Sequence, residues 1–247
     1  MAHTPKANYG IDAPSVIRNL LVAALLLFII AIFFPVIRIG SVTFLTSGLV
    51  WSAGGCAFGG FLMLAYSLWG KYKHRDRMLN LIDWKGNEQV LDIGTGKGLL
   101  MIGAAKKLSN GKSTGIDIWN AEDLTGNNVE AARLNATIEG VSDKVEILNE
   151  NAMKMSFADD TFDVILTNMC LHNIYDKEGR KTACGEISRV LKPGGTAIIA
   201  DFRHMKEYKS NFDGLNLQTT LLPASYLTTF PAVGILLVKK NNYQYEG

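Results

Sequence analysis

The chain has 247 residues, 48% of them hydrophobic and 19% charged, with a net charge of +2. That length supports one good-sized core plus an appendage, and the near-neutral balance excludes both a disordered chain and one that seeks polyanions overall. Three scattered cysteines (Cys56, Cys170 and Cys184) exclude a disulfide framework, and the four histidines show no metal-ligand spacing, so no metal is expected.

The first apolar run extends from Val16 to Ile37 with a single charge, Arg18, near its start. A second, from Val42 to Trp69, contains no ionisable carboxylate or amine. About 20 such residues cross a bilayer core, so residues 16–69 predict a two-helix transmembrane hairpin after a short segment over 1–15. A cleaved signal peptide is disfavoured, because the apolar core is long, no small-x-small site follows and another span comes next. Within the second run Gly48, Ser52, Cys56 and Gly60 recur every fourth residue, and Gly55 and Gly59 form a Gly-x-x-x-Gly pair. Such a smooth face lets helices approach closely, within the hairpin or between two chains as a homo-oligomer.

Lys71, Lys73, Arg75 and Arg77 follow the second span, whereas the loop between the spans offers only Arg38. By the positive-inside rule an integral membrane protein with both termini and its catalytic domain in the cytoplasm is expected. Residues 70–87 read as a basic juxtamembrane linker and lead-in helix that can also touch anionic headgroups.

From residue 88 to 247 strands and helices alternate. Strands are expected at Gln89 to Ile93, Ser113 to Ile118, Val145 to Asn149, Phe162 to Asn168 and Thr196 to Asp201. Helical spacing marks Leu99 to Leu108, Asn127 to Glu139 and Lys177 to Val190. A short polar helix then precedes Leu215 to Leu221 and Val233 to Lys239, which close the sheet as a strand pair. The expected fold is therefore α/β, a doubly wound, mostly parallel, seven-stranded sheet with its ligand at the carboxyl ends of the strands.

The stretch Val90-Leu91-Asp92-Ile93-Gly94-Thr95-Gly96-Lys97-Gly98-Leu99-Leu100 reads as strand, glycine turn and helix. Glycines there allow positive φ and close approach of a nucleotide-like ligand. Asp117 closes the second strand about 20 residues further on, where a carboxylate can accept both ribose hydroxyls, and Ile118 beside it offers an apolar wall for a flat base. The glycines fall at 94, 96 and 98, which is not the dinucleotide spacing.

That turn resembles motif I of the class I S-adenosylmethionine-dependent methyltransferases. Asn151-Ala152 with Met155 to Asp163, Asn168 to Asn173, and Arg189 to Gly195 resemble later segments of the ubiquinone/menaquinone-biosynthesis type, in order and spacing. The resemblance covers residues 88 to 201 well and implies a Rossmann-like methyltransferase fold with S-adenosyl-L-methionine as cofactor. It implies that Gly94, Gly96 and Gly98 border the methionine part, that Asp117 holds the ribose, that Ala152 offers its backbone N–H to the adenine, and that Asn168 lies near the sulfonium. The full expected cofactor set is Asp92, Gly94, Thr95, Gly96, Gly98, Asp117, Ile118, Asn151, Ala152 and Asn168. One departure is Asn151, where the family usually has an aspartate; its amide oxygen can still accept a hydrogen bond. Another is the long link from Trp119 to Asn127, a lid, a substrate rim or simply a longer loop.

Methyl transfer is an in-line displacement, so the protein aligns the acceptor and removes water. Where the acceptor must lose a proton, His172, Tyr175 and His204 are the candidate groups, because they follow the fourth and fifth strands. The hairpin points to a small or lipid-soluble acceptor such as a quinone, isoprenoid or phospholipid, held near by tethering. A membrane-tethered scaffold that binds the nucleoside without catalysis is the competing reading. Nucleic acid is not an expected partner, since no basic, aromatic-studded face or Asn-Pro-Pro-aromatic motif is present.

Overall fold

In the computed structural model, residues 5–120, 123–225 and 229–242 are described. The first apolar run folds as α1, Pro14–Phe33, with Pro14 at the start, where the missing N–H costs nothing. The run predicted to continue to Ile37 stops four residues earlier. Two short strands, β1 (Val36–Ile39) and β2 (Val42–Leu45), follow as an antiparallel hairpin whose register pairs Ile39 with Val42. Gly40, at φ 61°, forms the two-residue turn with Ser41, the conformation a tight hairpin requires.

The second run begins its helix only at Leu49, in α2 (Leu49–Ala65), and does not end at Trp69. It passes through a π-helical turn, Tyr66–Gly70, into α3, Lys71–Leu79. Helices Pro14–Phe33 and Leu49–Leu79 are long and apolar enough to cross a membrane, and 17% of each apolar window is buried. The smooth face is partly used inside the hairpin, since a Cβ on Gly60 would lie 3.0 Å from Leu21 Cδ2 and one on Gly59 3.9 Å from Leu20 Cδ1.

The remaining elements are β3 (Gln89–Ile93), α4 (Leu99–Ala105), β4 (Lys112–Asp117), α5 (Val129–Ile138), β5 (Val145–Asn149), β6 (Phe162–Asn168), α6 (Lys177–Val190), β7 (Leu191–Asp201), α7 (Met205–Gly214), β8 (Gln218–Ser225) and β9 (Val233–Lys239). They form a seven-stranded sheet in the order β5-β4-β3-β6-β7-β9-β8. The first five strands of that order pair in parallel, and β9 runs antiparallel to both β7 and β8. This is a Rossmann-like, doubly wound fold. The order reverses between β3 and β6, which opens the crevice where ligands of such sheets sit.

Several expected bounds shift: the strand expected over Ser113 to Ile118 spans Lys112–Asp117, the helix over Asn127 to Glu139 spans Val129–Ile138, and the strand over Leu215 to Leu221 spans Gln218–Ser225. The helix expected to reach Leu108 ends at Ala105, and β7 starts at Leu191 rather than Thr196, because Leu191 pairs with Phe162 across a register shift before Val164 meets Thr196. The core lies on both faces of the sheet. Leu91, Ile165 and Ile199 pack under α6 and α7 on one side, while Val90, Val164, Leu166 and Ile198 pack with Met78 and Leu79 of α3 on the other. Alternating side chains along each strand separate the two sets, as a pleated strand buried on both faces demands.

Candidate active site

The site is built where β3 gives way to α4. Gly94, Gly96 and Gly98 stand at φ 71°, 54° and 86°, conformations that a side chain at these positions would strain. The turn is pinned from β4, because the N–H groups of Gly94 and Thr95 both donate to the Ile116 carbonyl at 2.9 and 3.0 Å. A Cβ on Gly94 would collide with the Sγ and Cβ of Cys170, so the end of β6 presses directly on the turn.

Asp117 accepts from the Gly96 N–H at 2.8 Å through Oδ2 and from the Trp119 N–H at 2.7 Å through Oδ1. Each oxygen retains a lone pair for a ribose hydroxyl. Ile118 beside it is 64% exposed, an apolar surface at the rim. Asp92 is buried, and its Oδ2 accepts from Thr95 Oγ1 at 2.8 Å and from the Met101 N–H at 2.9 Å, so among the described residues Asp92 and Thr95 brace the turn from within.

Burial pushes the Asp92 carboxyl up to about 7. Between the ordinary carboxylate value and that pH the folded protein keeps a proton the unfolded chain has lost, so this group's contribution to stability declines as pH rises from about 4 to about 7. Asp92→Asn keeps an oxygen for both bonds; thermal unfolding should show a flatter pH profile across that window and a higher midpoint than the parent at pH 8.

The long link from Trp119 to Asn127 folds back over the turn, although Ala121 and Glu122 within it lie outside the described residues. A Cβ on Gly96 would come within 3.0 Å of Leu124 Cδ2 and 4.0 Å of Asn127 Oδ1. The link is held down by a strap from the amino-terminal segment. Asp12 and Leu124 form an antiparallel bridge, the Ala13 N–H donates to the Asp123 carbonyl, and the Thr125 N–H donates to the Ile11 carbonyl. Asn8 and Asn135 exchange two hydrogen bonds, and Asn135 Nδ2 also donates to the Lys97 carbonyl.

Lys71 fastens the strap to the helix. Its buried ammonium donates to the Tyr9 carbonyl at 2.8 Å, the Gly10 carbonyl at 2.6 Å and Asp12 Oδ2 at 3.2 Å. The basic cluster read as facing headgroups is therefore corrected at this residue, because three oxygens replace water around the charge. Arg75 pairs with Asp76, and Arg77 Nη2 donates to the Pro223 carbonyl. Lys71→Met should free the strap at a local cost of about 1–3 kcal/mol. Faster amide hydrogen exchange over residues 8–13 and 123–127, with the sheet unaffected, would register it.

Two buried side-chain atoms on the link, Trp119 Nε1 and Asn127 Oδ1, meet no hydrogen-bond partner among the described residues. One donor and one acceptor beside a glycine cradle suit the polar groups of a nucleoside ligand. Strain is concentrated on the same edge. Trp119, Met169 and His204 have φ of 61°, 51° and 58° just beyond the carboxyl ends of β4, β6 and β7. Non-glycine residues persist in that region only where surrounding structure enforces it, commonly at functional sites.

The other expected residues are distributed unevenly. Asn168, at the end of β6, accepts a hydrogen bond through Oδ1 from His74 Nε2 at 3.1 Å. Asn151 is exposed, and its Oδ1 accepts from the Met153 N–H at 2.9 Å, so part of the accepting capacity counted for the adenine serves the local turn. Ala152 packs against the core. His172 Nδ1 lies 2.9 Å from the buried Asp201 Oδ1, off the line of a hydrogen bond, and its backbone N–H donates to Asp201 Oδ2 at 3.2 Å. Tyr175 is 93% exposed, and His204 turns to Glu207 at 3.5 Å. No hydrogen bond or ion pair among the described residues joins either of these two to the glycine turn, so the expected trio of proton-handling groups is not brought together. Burial and the carboxylates of Asp117, Asp201 and Asp92 push the Cys170 thiol up, which keeps it protonated. Among the described residues no metal-binding cluster occurs.

A parallel sheet reversing at β3, a glycine turn and an acidic residue closing the next strand together define a nucleotide-binding, Rossmann-like fold. The family described as a methyltransferase domain matches residues 85–231, more than half of the chain, and the chain belongs to that family. A demethylmenaquinone methyltransferase of Lactiplantibacillus plantarum is 34% identical over 134 residues, covering 53% of this chain and 53% of that protein. A ubiquinone/menaquinone biosynthesis C-methyltransferase of Ruegeria is 26% identical over 172 residues, covering 69% of this chain and 62% of its own length. The match spans about half to three fifths of these relatives' lengths. Among solved structures, a geranyl diphosphate methyltransferase in complex with S-adenosylmethionine shares the fold with a TM-score of 0.55 at 15% identity, over 68% of this chain and 85% of that one.

Proposed function

We propose that the chain is a membrane-anchored methyltransferase that transfers a methyl group from S-adenosylmethionine to a lipid-soluble acceptor, of which a hydroxylated quinone precursor is the leading class. Bound S-adenosylmethionine supplies the methyl group as an electrophile. In this reading residues 16–69 are the anchor, residues 70–87 the linker and residues 88–247 the catalytic domain, with both termini in the cytoplasm.

The observation that carries the reading is the exposed apolar surface of the two long helices. Leu25, Phe33, Phe58 and Phe61 are 58%, 71%, 66% and 61% exposed, an arrangement that water would penalise and a bilayer would solvate. Trp51 and Trp69, 85% and 67% exposed, stand 18 residues apart on the second helix, or about 27 Å, the spacing of the two aromatic belts of a membrane. Ile11, Pro14, Ile17, Leu21, Leu25 and Leu64 line an apolar groove of about 460 Å³ on the hairpin, roomy enough for part of an isoprenoid or acyl tail. Ile11 belongs to the strap over the glycine turn, which puts the groove next to the Trp119 to Asn127 link.

Within the domain, Gly94, Gly96, Gly98, Asp117, Ile118, Asn151, Ala152 and Asn168 are assigned to the cofactor, with Asp92 and Thr95 shaping the turn. His172, whose Nδ1 lies 2.9 Å from the buried Asp201 Oδ1, is the group assigned to take a proton from the acceptor. The relatives named for quinone biosynthesis support the acceptor class. Full-length protein in phosphatidylcholine vesicles containing reduced demethylmenaquinone, given methyl-labelled cofactor, should deliver label to the organic phase. Label confined to protein or water-soluble products, including with total membrane lipids as acceptor, overturns the proposal.

A further inference from the structure

The second apolar helix does not stop at the end of its apolar stretch. Through the π turn at Tyr66–Gly70 it enters the domain as α3 and lays one face on the carboxyl end of β6. π turns change the direction in which a helix presents its side chains and recur at functional sites. The Tyr66 hydroxyl lies 3.4 Å from Met169 Sδ, His74 Nε2 lies 3.1 Å from Asn168 Oδ1, and Arg77 Nη2 donates to the Pro223 carbonyl at 3.0 Å. Three side chains at 66, 74 and 77 thus meet the residues at and just beyond the end of one central strand and the edge strand β8.

The contacts leave two polar atoms over. An amide oxygen only accepts, so Asn168 Oδ1 puts the His74 proton on Nε2 and leaves a lone pair at Nδ1. That Nδ1 is buried in a residue 1% exposed and meets no partner among the described residues. Arg77 Nη1 is buried and also meets no partner among the described residues. His74 and Arg77 are three residues apart on α3 and therefore neighbours on one helix face. An acceptor and a cationic donor left unpartnered on one helix face, among the described residues, suit a ligand that carries oxygens.

Of the residues assigned to the cofactor, Asn168 meets His74 through Nε2, which leaves His74 Nδ1 and Arg77 Nη1 uncommitted. Gly94, Gly96, Asp117, Trp119 and Asn127 lie on β3, β4 and their links, whereas His74 and Arg77 contact the residues of β6 and β8, on the other side of β3 in the sheet. Alternation along β6 sends Asn168 to the same face as Val164 and Leu166, the face that α3 covers.

We propose that His74 Nδ1 and Arg77 Nη1 form the oxygen-binding subsite for the acceptor, a phenol- or enol-bearing ring whose hydroxyl donates to Nδ1 while the guanidinium donates to an oxygen of the same ring. The apolar helix that carries these residues gives such a ring a route from the bilayer to the end of β6, and the arginine favours the ionised, more nucleophilic form of the oxygen. This assignment rests on the lipid-acceptor reading above.

The test uses the full-length protein in detergent with S-adenosylhomocysteine bound, and menadiol, a naphthalenediol without a tail, as the probe under anaerobic titration calorimetry. The parent should bind menadiol. His74→Gln and Arg77→Met should each weaken that binding at least 10-fold while S-adenosylhomocysteine affinity stays within twofold, and Arg77→Lys should lose less than Arg77→Met. Menadiol failing to bind the parent, binding all variants alike, or weakening in step with S-adenosylhomocysteine overturns the subsite. If menadiol binding behaves as expected but membrane lipids accept no methyl group, the subsite stands and the lipid-acceptor reading fails.

Discussion

Replacing Asp117 with alanine should abolish measurable methyl transfer and weaken S-adenosylhomocysteine binding roughly 100-fold or more, with the chain still folded. The carboxylate holds the Gly96 and Trp119 N–H groups at 2.8 and 2.7 Å and keeps lone pairs for two ribose hydroxyls. Hydrogen bonds to a charged group contribute about 1.5–3 kcal/mol each, so losing two to the ligand corresponds to roughly 10²–10⁴ in affinity. Asp117→Asn should lose less, because its one oxygen still accepts. Titration calorimetry gives the affinities, and circular dichroism checks the fold. An alanine variant that binds the ligand as the parent does would remove Asp117 from the cofactor site.

Gly94→Val should be the most damaging single change in the turn. Its backbone sits at φ 71°, which costs an ordinary residue about 1–2 kcal/mol, and its side chain would drive into Cys170. Overpacking a closed contact adds about 1–3 kcal/mol, so a loss of about 2–5 kcal/mol in unfolding free energy is expected, together with loss of cofactor binding. Combining Gly94→Ala with Cys170→Gly separates the two causes. The double variant should recover the packing share of the stability lost by Gly94→Ala and keep the share due to φ. Chemical denaturation of the single and double variants reads the difference.

The central sheet was legible because its signals are local. Gln89–Ile93, Val145–Asn149, Phe162–Asn168, Lys177–Val190 and Val233–Lys239 fall where β-branched runs and helical spacing put them. The glycine turn and Asp117 were legible because their spacing reflects a backbone that must turn tightly and a carboxylate that must face it. The hairpin at Val36–Ile39 and Val42–Leu45 was obscured by the apolar runs around it, although Gly40-Ser41 between β-branched residues is a two-residue turn signal.

The strap was not legible at all. Its partners Leu124 and Asn135 lie more than a hundred residues away, and a short polar segment such as Asn8 to Asp12 carries no periodicity that announces them. His74 and Arg77 were hidden for a different reason. In sequence they belong to a basic cluster whose simplest physical role is to orient the hairpin, and only the packing of α3 on β6 and β8 gives two of its members other work. Tyr175 and His204 follow the expected strands, yet their side chains turn to solvent and to α7, because position along the chain does not set side-chain direction in a loop.

The most direct measurement of the central claim, methyl transfer to an acceptor dissolved in the same bilayer that holds the enzyme, is a surface-dilution experiment. Full-length protein and reduced demethylmenaquinone are kept at fixed total amounts in vesicles while phosphatidylcholine is increased tenfold. An anchored enzyme meets its acceptor at the concentration within the membrane, so the initial rate should fall in proportion to the acceptor's mole fraction. A rate that depends only on bulk acceptor concentration, unchanged as lipid is added, would contradict the account.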